Sequence, residues 1–309
     1  MKPFSSIFFT LLSISIGFLF TLAISANSVL FADIPIMYIV TLYIFMLQWI
    51  IFIPSYVYQT EHYFDLTGSM TYITAILLVT LFSQEINLRD VLICSLILIW
   101  ASRLGLFLSR RVKNAGEDKR FKHIKPNFYQ FLMAWTIQGL WVLITAGMAF
   151  AALSSQKEIG IEAFAVTGGI IWLFGFVIEV ISDQQKSKFK NNPENADKFI
   201  QSGLWSWSRH PNYFGEIVLW IGIAIIAFPV IEGWQYVALI SPIFVIFLLT
   251  MVSGVNLLER QGMQKWGHEE DSVSYTHLRA HETREDLGCR LLRGKKKRGG
   301  GGGGGGGGG

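Results

Sequence analysis

Long stretches without a charged residue restrict this chain more than any other feature of its sequence. Residues 5–26 and residues 34–59 form two such runs, of 22 and 26 residues. A helix of about 20 apolar residues crosses the roughly 30 Å hydrocarbon core of a bilayer. Because no water is present there, a run of this kind has to satisfy its own peptide groups as a helix. Only 16% of the residues are charged, so a helical membrane protein is predicted rather than a soluble domain.

Eight hydrophobic segments can be drawn along the chain, and seven to ten crossings fit the pattern. They cover residues 5–26, 34–58, 69–83, 89–109, 130–152, 160–181, 212–230 and 233–254. The third is short, which leaves a re-entrant segment open. The first could be a cleaved signal peptide, but its apolar stretch is longer than usual and favours a retained helix. We expect an all-α polytopic transmembrane bundle over residues 1–271.

The basic residues of the predicted loops lie almost entirely on one side of the membrane. The other side carries only Arg89 and Lys157. The first side carries 15, namely Lys2, Arg110, Arg111, Lys113, Lys119, Arg120, Lys122, Lys125, Lys186, Lys188, Lys190, Lys198, Arg209, Arg260 and Lys265. Since positive loops stay in the cytoplasm, both termini are predicted to be cytoplasmic. The expected location is a bacterial cytoplasmic membrane, or the endoplasmic reticulum in a eukaryote.

Residues 272–309 differ in composition from the rest. They hold 8 of the 26 Lys and Arg but 3 of the 22 Asp and Glu, and they end in eleven glycines. This tail resembles translated sequencing-adapter read-through and is predicted to be disordered and non-native, a basic lipid-binding tail being the alternative. Because the whole basic excess lies there, no nucleic-acid partner is predicted. Cys94 and Cys289 suggest no disulfide framework, and no metal site is predicted.

The most informative cluster of polar residues precedes the seventh segment. Pro211 suits the first turn of a helix, and the N–H groups at such a helix start bind anions. Arg209 adds a planar cation suited to phosphate, while Trp205 and Tyr213 offer flat stacking surfaces. The alternative is an aromatic interface belt, but it does not explain Asn212 and Glu216, which lead into the membrane one turn apart.

Two further charged groups end neighbouring segments on the same predicted side. Glu179, Asp183 and Lys186 end the sixth segment, where they share one helix face. Glu259 ends the eighth segment and could orient Arg209 or His210. A snorkelling helix end with local ion pairs is the alternative for the first group, and a plain helix C-terminus is the alternative for the second. Arg103, inside the fourth segment, and Gln138, inside the fifth, are weaker candidates for lining a site.

The motifs together resemble the membrane reductases related to the steroid 5-alpha-reductase C-terminal domain, in their largely bacterial branch of unassigned substrate. The resemblance spans residues 65–267. It is carried by these stretches: Asp65-Leu66-Thr67-Gly68-Ser69, Arg103-Leu104-Gly105, Gly116-Glu117-Asp118-x-Arg120-Phe121, Asp183-Gln184-x-Lys186, Gly203-Leu204-Trp205, Arg209-His210-Pro211-Asn212-Tyr213-x-Gly215-Glu216 and Ser253-Gly254 to Glu259.

The resemblance implies NADPH bound in a cytoplasm-facing cavity and hydride delivery to an electron-poor carbon–carbon double bond. The residues predicted to bind the cofactor are Asp183, Lys186, Trp205, Arg209, His210, Asn212, Tyr213, Glu216 and Glu259. The expected substrate is a lipophilic enone or enoyl lipid that enters from the bilayer. Its proton donor is unassigned, with Tyr63, Tyr72 and Glu216 as candidates.

Two other functions remain open at this stage. Isoprenylcysteine-type methyltransferases share Arg-His-Pro-x-Tyr, and S-adenosylmethionine also suits aromatic and acidic neighbours. A lipid- or sterol-binding membrane protein without turnover is the non-enzymatic alternative. The sequence does not distinguish oligomeric states.

Overall fold

The computed structural model describes residues 3–83, 86–115, 118, 121–157, 159–195 and 198–252. The tail, residues 272–309, and Glu259 lie outside this part of the chain. The chain up to Leu249 forms one compact unit, and Thr250 begins a second. The α-helices are α1 Pro3–Ile24, α2 Ile36–Val57, α3 Phe64–Phe82, α4 Leu88–Ala115, α5 Phe128–Thr145, α6 Gly147–Leu153, α7 Ala163–Asn191, α8 Pro211–Ala227 and α9 Ile240–Phe247.

Short elements complete the described fold. The strands β1 Leu30–Phe31 and β2 Ile34–Pro35 form a hairpin before α2. Turns of 3₁₀-helix cover Pro193–Asn195, Gly203–Ser206, Phe228–Val230 and Gly233–Leu239, and a π-helical turn covers Leu248–Val252.

The predicted all-α membrane bundle is confirmed. Eight helical segments of the described chain are long and apolar enough to cross a bilayer. The third is not short, because α3 begins at Phe64 and reaches 19 residues. The fifth predicted segment is not one helix, since α5 ends at Thr145 and the buried α6 follows as a separate helix. The sixth continues ten residues beyond the predicted end, to Asn191.

Local chemistry explains several of the helix starts and their packing. The Asn127 side chain caps α5 by accepting a hydrogen bond of 3.1 Å from the backbone N–H of Gln130. Pro211 occupies the first turn of α8, as predicted, where its missing N–H leaves no bond unmade.

Helices α7 and α8 pack with their backbones in close approach. Gly168 and Gly175 of α7 face Gly222 and Gly215 of α8, with the same seven-residue spacing on each helix. A Cβ placed on Gly215 would lie 2.6 Å from the Glu179 nitrogen and from the Gly175 carbonyl oxygen. Small residues bring transmembrane helices this close. The side chains that flank these glycines are therefore held at short range.

At the end of the bundle away from the start of α8, the fully buried Arg89 of α4 joins three parts of the chain. Its Nε donates to the Ile159 carbonyl at 3.1 Å and its Nη2 to the Gly160 carbonyl at 2.8 Å. Its Nη1 donates to the carbonyl of Ile226 near the end of α8, and Glu162 lies 3.3 Å away as an ion-pair partner. The guanidinium thus binds two carbonyls of the loop before α7 and one carbonyl in the last turn of α8, which water would otherwise bind.

Candidate functional site

A buried ion cluster joins α4 to α7 near the end that carries the predicted motifs. The Arg103 guanidinium donates to the carboxylates of both Glu179 and Asp183. The two acids are only 2% and 6% exposed. Burying charges is favourable only when each keeps its partner, so removal of one member of such a group is strongly destabilising. The cluster is thus a fixed charged centre inside a helical membrane bundle.

Helix α8 adds a polar face to this centre. The Asn212 side-chain amide donates to the Asp183 carboxylate at 3.3 Å, while its oxygen Oδ1 is buried without a partner in the described chain. Glu216 follows one turn later, and its charge interacts with those of Asp183 and Arg103. The Arg103 guanidinium therefore contacts two carboxyl groups, and a third carboxyl group interacts with it electrostatically. The close approach of Gly215 to α7 is what brings them together.

The turn before α8 is anchored to α7 through Trp205. This side chain is buried, and its indole N–H donates to the Ser182 carbonyl at 3.0 Å. The backbone N–H of Leu204 donates to the Gln185 side chain, also at 3.0 Å. The Lys186 ammonium lies 4.7 Å from the centre of the Trp205 ring, a cation–π distance. One face of the Trp205 ring is thus covered by Lys186, another residue that is predicted to bind the cofactor.

The start of α8 presents the features that the sequence suggested for anion binding. His210 precedes the helix, and its side chain makes no cap bond to it. The N–H groups in the first turn of a helix are a common binding site for anions. The His210 and Tyr213 rings stack at 5.5 Å between centroids and 12° between planes. Arg209 is half-buried beside them.

Deeper in the bundle, the polar face of α8 ends at an aromatic group. Trp220 follows Glu216 by one turn, and its ring lies 6.0 Å from Tyr72 and 5.0 Å from Trp100. The indole N–H groups of Trp100 and Trp220 are buried and have no acceptor among the residues that the structure describes. Tyr72 is also buried, with Thr145 beside its hydroxyl. Unpaired donors in a dry interior suit a ligand with an acceptor oxygen.

Of the three candidates for the proton donor, Tyr63 differs in position. It precedes α3 and is 55% exposed, whereas Tyr72 lies in the core and Glu216 beside the ion cluster.

A groove between α4 and α7 leads from the outer surface to the ion cluster. It has a volume of about 420 Å³ and is lined in part by Arg103, Leu106, Phe107, Val180 and Asp183. Arg110, Gln184 and Ser187 complete its lining, so charged and polar side chains alternate with apolar ones along the groove.

Near the motif-bearing end, Glu61 ties two loops together. Its carboxylate accepts 2.7 Å from the Lys125 ammonium and 2.9 Å from the Asp118 N–H. Burial alone would raise the pKa of Glu61, but these two hydrogen bonds outweigh it and hold that pKa below its usual value. The loop before α3 is therefore fixed to the loop before α5.

The structure brings most of the predicted cofactor residues together around the end of α7 and the start of α8. These are Asp183, Lys186, Trp205, Arg209, His210, Asn212, Tyr213 and Glu216. Glu259 lies outside the described residues. Sequence reasoning missed Arg103 as the partner of Glu179 and Asp183, although an arginine inside an apolar helix was the available signal.

Comparison with known proteins adds a family profile and partial relatives. The profile described as "Protein of unknown function (DUF1295)" matches residues 49–278. The chain is 30% identical to 3-oxo-5-alpha-steroid 4-dehydrogenase 1 of Bos taurus over 105 residues, which are 34% of this chain and 36% of the relative. It is 27% identical to Delta(14)-sterol reductase of Arabidopsis thaliana over 95 residues, 28% of this chain and 23% of that relative.

A relative of another class matches to a similar extent. The chain is 31% identical to Probable O-methyltransferase ustE of Ustilaginoidea virens over 98 residues, 32% of this chain and 34% of the relative. The matched stretches thus span about a quarter to a third of these relatives. No solved structure gives a significant match to the chain.

Proposed function

Because the chain belongs to the DUF1295 family, which is the steroid 5-alpha-reductase-like family, we propose that it is a membrane reductase of a lipophilic substrate. The finer proposal is an NADPH-dependent enzyme that reduces the carbon–carbon double bond of an enone or enoyl lipid. Two of the relatives described above are a steroid dehydrogenase and a sterol reductase.

One observation carries the proposal: α8 has a single polar face that runs from the cytoplasmic motif into the bundle. Asn212, Glu216 and Trp220 follow one another at four-residue intervals on that face. The face starts at the N-terminus of α8, next to Arg209. It ends in the apolar interior at the indole N–H groups of Trp100 and Trp220, which have no acceptor in the described chain. This arrangement suits a polar cofactor at one end and a lipophilic acceptor at the other.

The residues present fit NADPH by their chemistry. Arg209, Lys186 and the N–H groups at the start of α8 would hold its phosphates. The orphaned Asn212 Oδ1 suits a carboxamide N–H, since a buried acceptor without a donor is unfavourable. When bound, NADPH supplies a hydride, and that chemistry belongs to the cofactor.

The chain itself would position and polarise the substrate. The Tyr72 hydroxyl and the Trp100 and Trp220 N–H groups are donors at bundle depth, directed by rigid aromatic packing. Donors fixed before reaction stabilise the negative charge that develops on a carbonyl oxygen during β-attack. The groove between α4 and α7, which reaches Arg103 and Asp183, would give the substrate access to this centre.

A titration of the detergent-purified chain tests the cofactor assignment. NADPH should quench tryptophan fluorescence saturably, and Arg209→Ala should lower its affinity about 10- to 150-fold, as for loss of a charge-assisted bond of about 1.5–3 kcal/mol. Lys157→Ala, which removes a positive charge at the other end of the bundle, serves as the control. Equal NADPH affinity in both variants would show that Arg209 does not bind the phosphates of the cofactor.

Turnover is tested separately with enone-dependent oxidation of NADPH. Tyr72→Phe should lower kcat while NADPH affinity stays unchanged, because the hydroxyl is placed at the substrate end. If Tyr72→Phe reduces the enone at the wild-type rate, another group polarises the carbonyl.

A second candidate function rests on the buried carboxyl groups of the site. Glu179, Asp183 and Glu216 lie near one another in the bundle and would suit a cationic ligand, and S-adenosylmethionine is such a ligand. Saturable quenching by S-adenosylmethionine without any by NADPH would establish a methyltransferase in place of the reductase. Binding of neither would favour a lipid- or sterol-binding protein without turnover.

A further inference from the structure

Two buried glutamines lie outside the charged centre, where α2, α3 and α5 meet. Gln48 of α2 is 0% exposed and Gln138 of α5 is 8% exposed. Each uses its amide nitrogen in a hydrogen bond, whereas each amide oxygen is buried without a partner in the described part of the chain. Buried acceptors are rarely left without a donor, because their lost hydration is not replaced.

The orientation of the Gln48 amide follows from its neighbour. Its nitrogen donates to the Thr71 hydroxyl oxygen at 2.8 Å. Thr71 gives its own proton to the Thr67 carbonyl at 2.6 Å. A hydroxyl whose single proton is already used can only accept from the glutamine. Rotation of the amide would place oxygen against oxygen, so Oε1 of Gln48 points away from Thr71.

The Gln138 amide is fixed in the same way. Its nitrogen donates to the Phe64 carbonyl at 3.1 Å, and a carbonyl only accepts. The same nitrogen would lie 2.7 Å from a Cβ at Gly68, so the side chain occupies the space that this glycine leaves. Oε1 of Gln138 is therefore the unpaired atom of this side chain.

The two glutamines belong to one region of the bundle. The Gln48 side chain would lie 3.3 Å from a Cβ at Gly139, the residue after Gln138. Their contacts on α3, Gly68 and Thr71, are three residues apart, or about 4.5 Å along a helix axis. The two glutamine side chains thus lie in one layer of the bundle, together with large buried residues such as Phe45 and Trp135.

A third buried glutamine, Gln235, differs from these two because both ends of its amide have hydrogen-bond partners. Gln235 is also 0% exposed, but its nitrogen donates to the carbonyls of Ile24 and Ala151, and its oxygen accepts from the Glu232 N–H. Both ends of that amide serve the fold. The oxygens of Gln48 and Gln138 serve no contact within the described chain.

We propose that Gln48 and Gln138 form a recognition site for a hydroxyl group of the lipophilic substrate. The inference rests on the proposed function in that it takes the substrate as the occupant. The ligand has to donate, because both unpaired atoms only accept. The site therefore selects a hydroxylated lipophile over its deoxy analogue.

The test compares two probes that differ by one hydroxyl group, androst-4-en-3-one and its 17β-hydroxy derivative. Equilibrium binding to the detergent-purified chain is measured without NADPH, so that the result does not depend on turnover. The hydroxylated probe should bind about five- to tenfold more tightly, as for one added neutral hydrogen bond. The preference should fall to about onefold in Gln48→Met and in Gln138→Met, and it should persist in Gln235→Met.

A stability measurement separates recognition from folding. Gln48→Met removes an unpaired acceptor and leaves the Thr71 hydroxyl bonded to the Thr67 carbonyl, so its unfolding midpoint should stay near that of the parent chain. Gln138→Met also removes one of the donors to the Phe64 carbonyl, so its midpoint should fall slightly, and by less than that of Gln235→Met. Gln235→Met exposes the Glu232 N–H and two carbonyls and should unfold earlier. Equal binding of the two probes to the parent chain, or a preference that survives both test substitutions, would overturn the proposal. A water held by both oxygens would give the first of these results. NADPH binding that persists in either case would leave the proposed function standing.

Discussion

The close approach of α7 and α8 makes Gly215 the most informative single position for substitution. In Gly215→Ala the new Cβ would meet two backbone atoms at 2.6 Å, and backbone cannot rotate away as a side chain can. An ordinary contact begins at 3.4 Å, so the helices have to separate locally by about 0.8 Å. Over-packing of this kind costs about 1–3 kcal/mol.

The same shift reaches the candidate site. The bond between Asn212 and Asp183 measures 3.3 Å, and a separation of about 0.8 Å would lengthen it to roughly 4.1 Å, beyond a hydrogen bond. NADPH affinity should therefore fall together with stability, because Asn212 and Glu216 move away from α7.

Gly169→Ala provides the matched control on α7. A Cβ there meets no atom within 4 Å, so only the gain in helix propensity of about 1 kcal/mol remains. Unfolding in SDS, followed by tryptophan fluorescence, should place Gly215→Ala about 1–3 kcal/mol below Gly169→Ala. Equal stability and equal NADPH affinity of the two variants would refute the close-packing argument.

Further predictions concern three other polar groups. Arg89→Lys should lower the SDS-unfolding midpoint strongly, because one ammonium cannot reach all the carbonyls that the guanidinium binds; Lys157→Ala, at the same end of the bundle, is the control, and an unchanged midpoint in Arg89→Lys would contradict the role. Glu61 has a lowered pKa in the folded chain. Its contribution to the free energy of unfolding is therefore present above the unfolded pKa of about 4.3 and is lost as pH falls through the folded pKa. Between pH 3 and pH 7, the unfolding temperature of Glu61→Gln should therefore decrease less on acidification than that of the parent chain. An equal decrease in both proteins would count against the ion pair. Arg103→Met should destabilise the chain because it leaves two buried carboxylates uncompensated, and Arg110→Met should not; a midpoint for Arg103→Met equal to that of Arg110→Met would refute this.

The positions of the membrane helices could be predicted because apolar length alone decides whether a segment crosses a bilayer. The start of α3 could not, since the charged and polar residues around Asp65 mask a helix that continues through them. The break between α5 and α6 was also missed, because both helices are apolar and hydropathy does not register a change of direction at Ala146.

The candidate site was predicted in part, and for a physical reason. The residues before and within α8 stand together in sequence, so local helix rules placed them correctly. The partner of Glu179 and Asp183 is separated from them by 76 and 80 residues, and no periodicity reports such a contact. The seven-residue spacing of glycines on α7 and on α8 was a readable sign of close packing. The unpaired glutamine oxygens could be found only in three dimensions.

The position of Arg89 has a consequence for how the chain is made in the cell. Its carbonyl partners are supplied 70 to 137 residues later in the sequence. A ribosome-bound chain that ends before residue 159 therefore carries a guanidinium with none of these acceptors. Until the loop before α7 and the end of α8 are in place, this end of α4 is stable only where water or lipid headgroups bind the charge. Helix α4 thus reaches its final position late in biogenesis, after the loop before α7 and helix α8 have been translated.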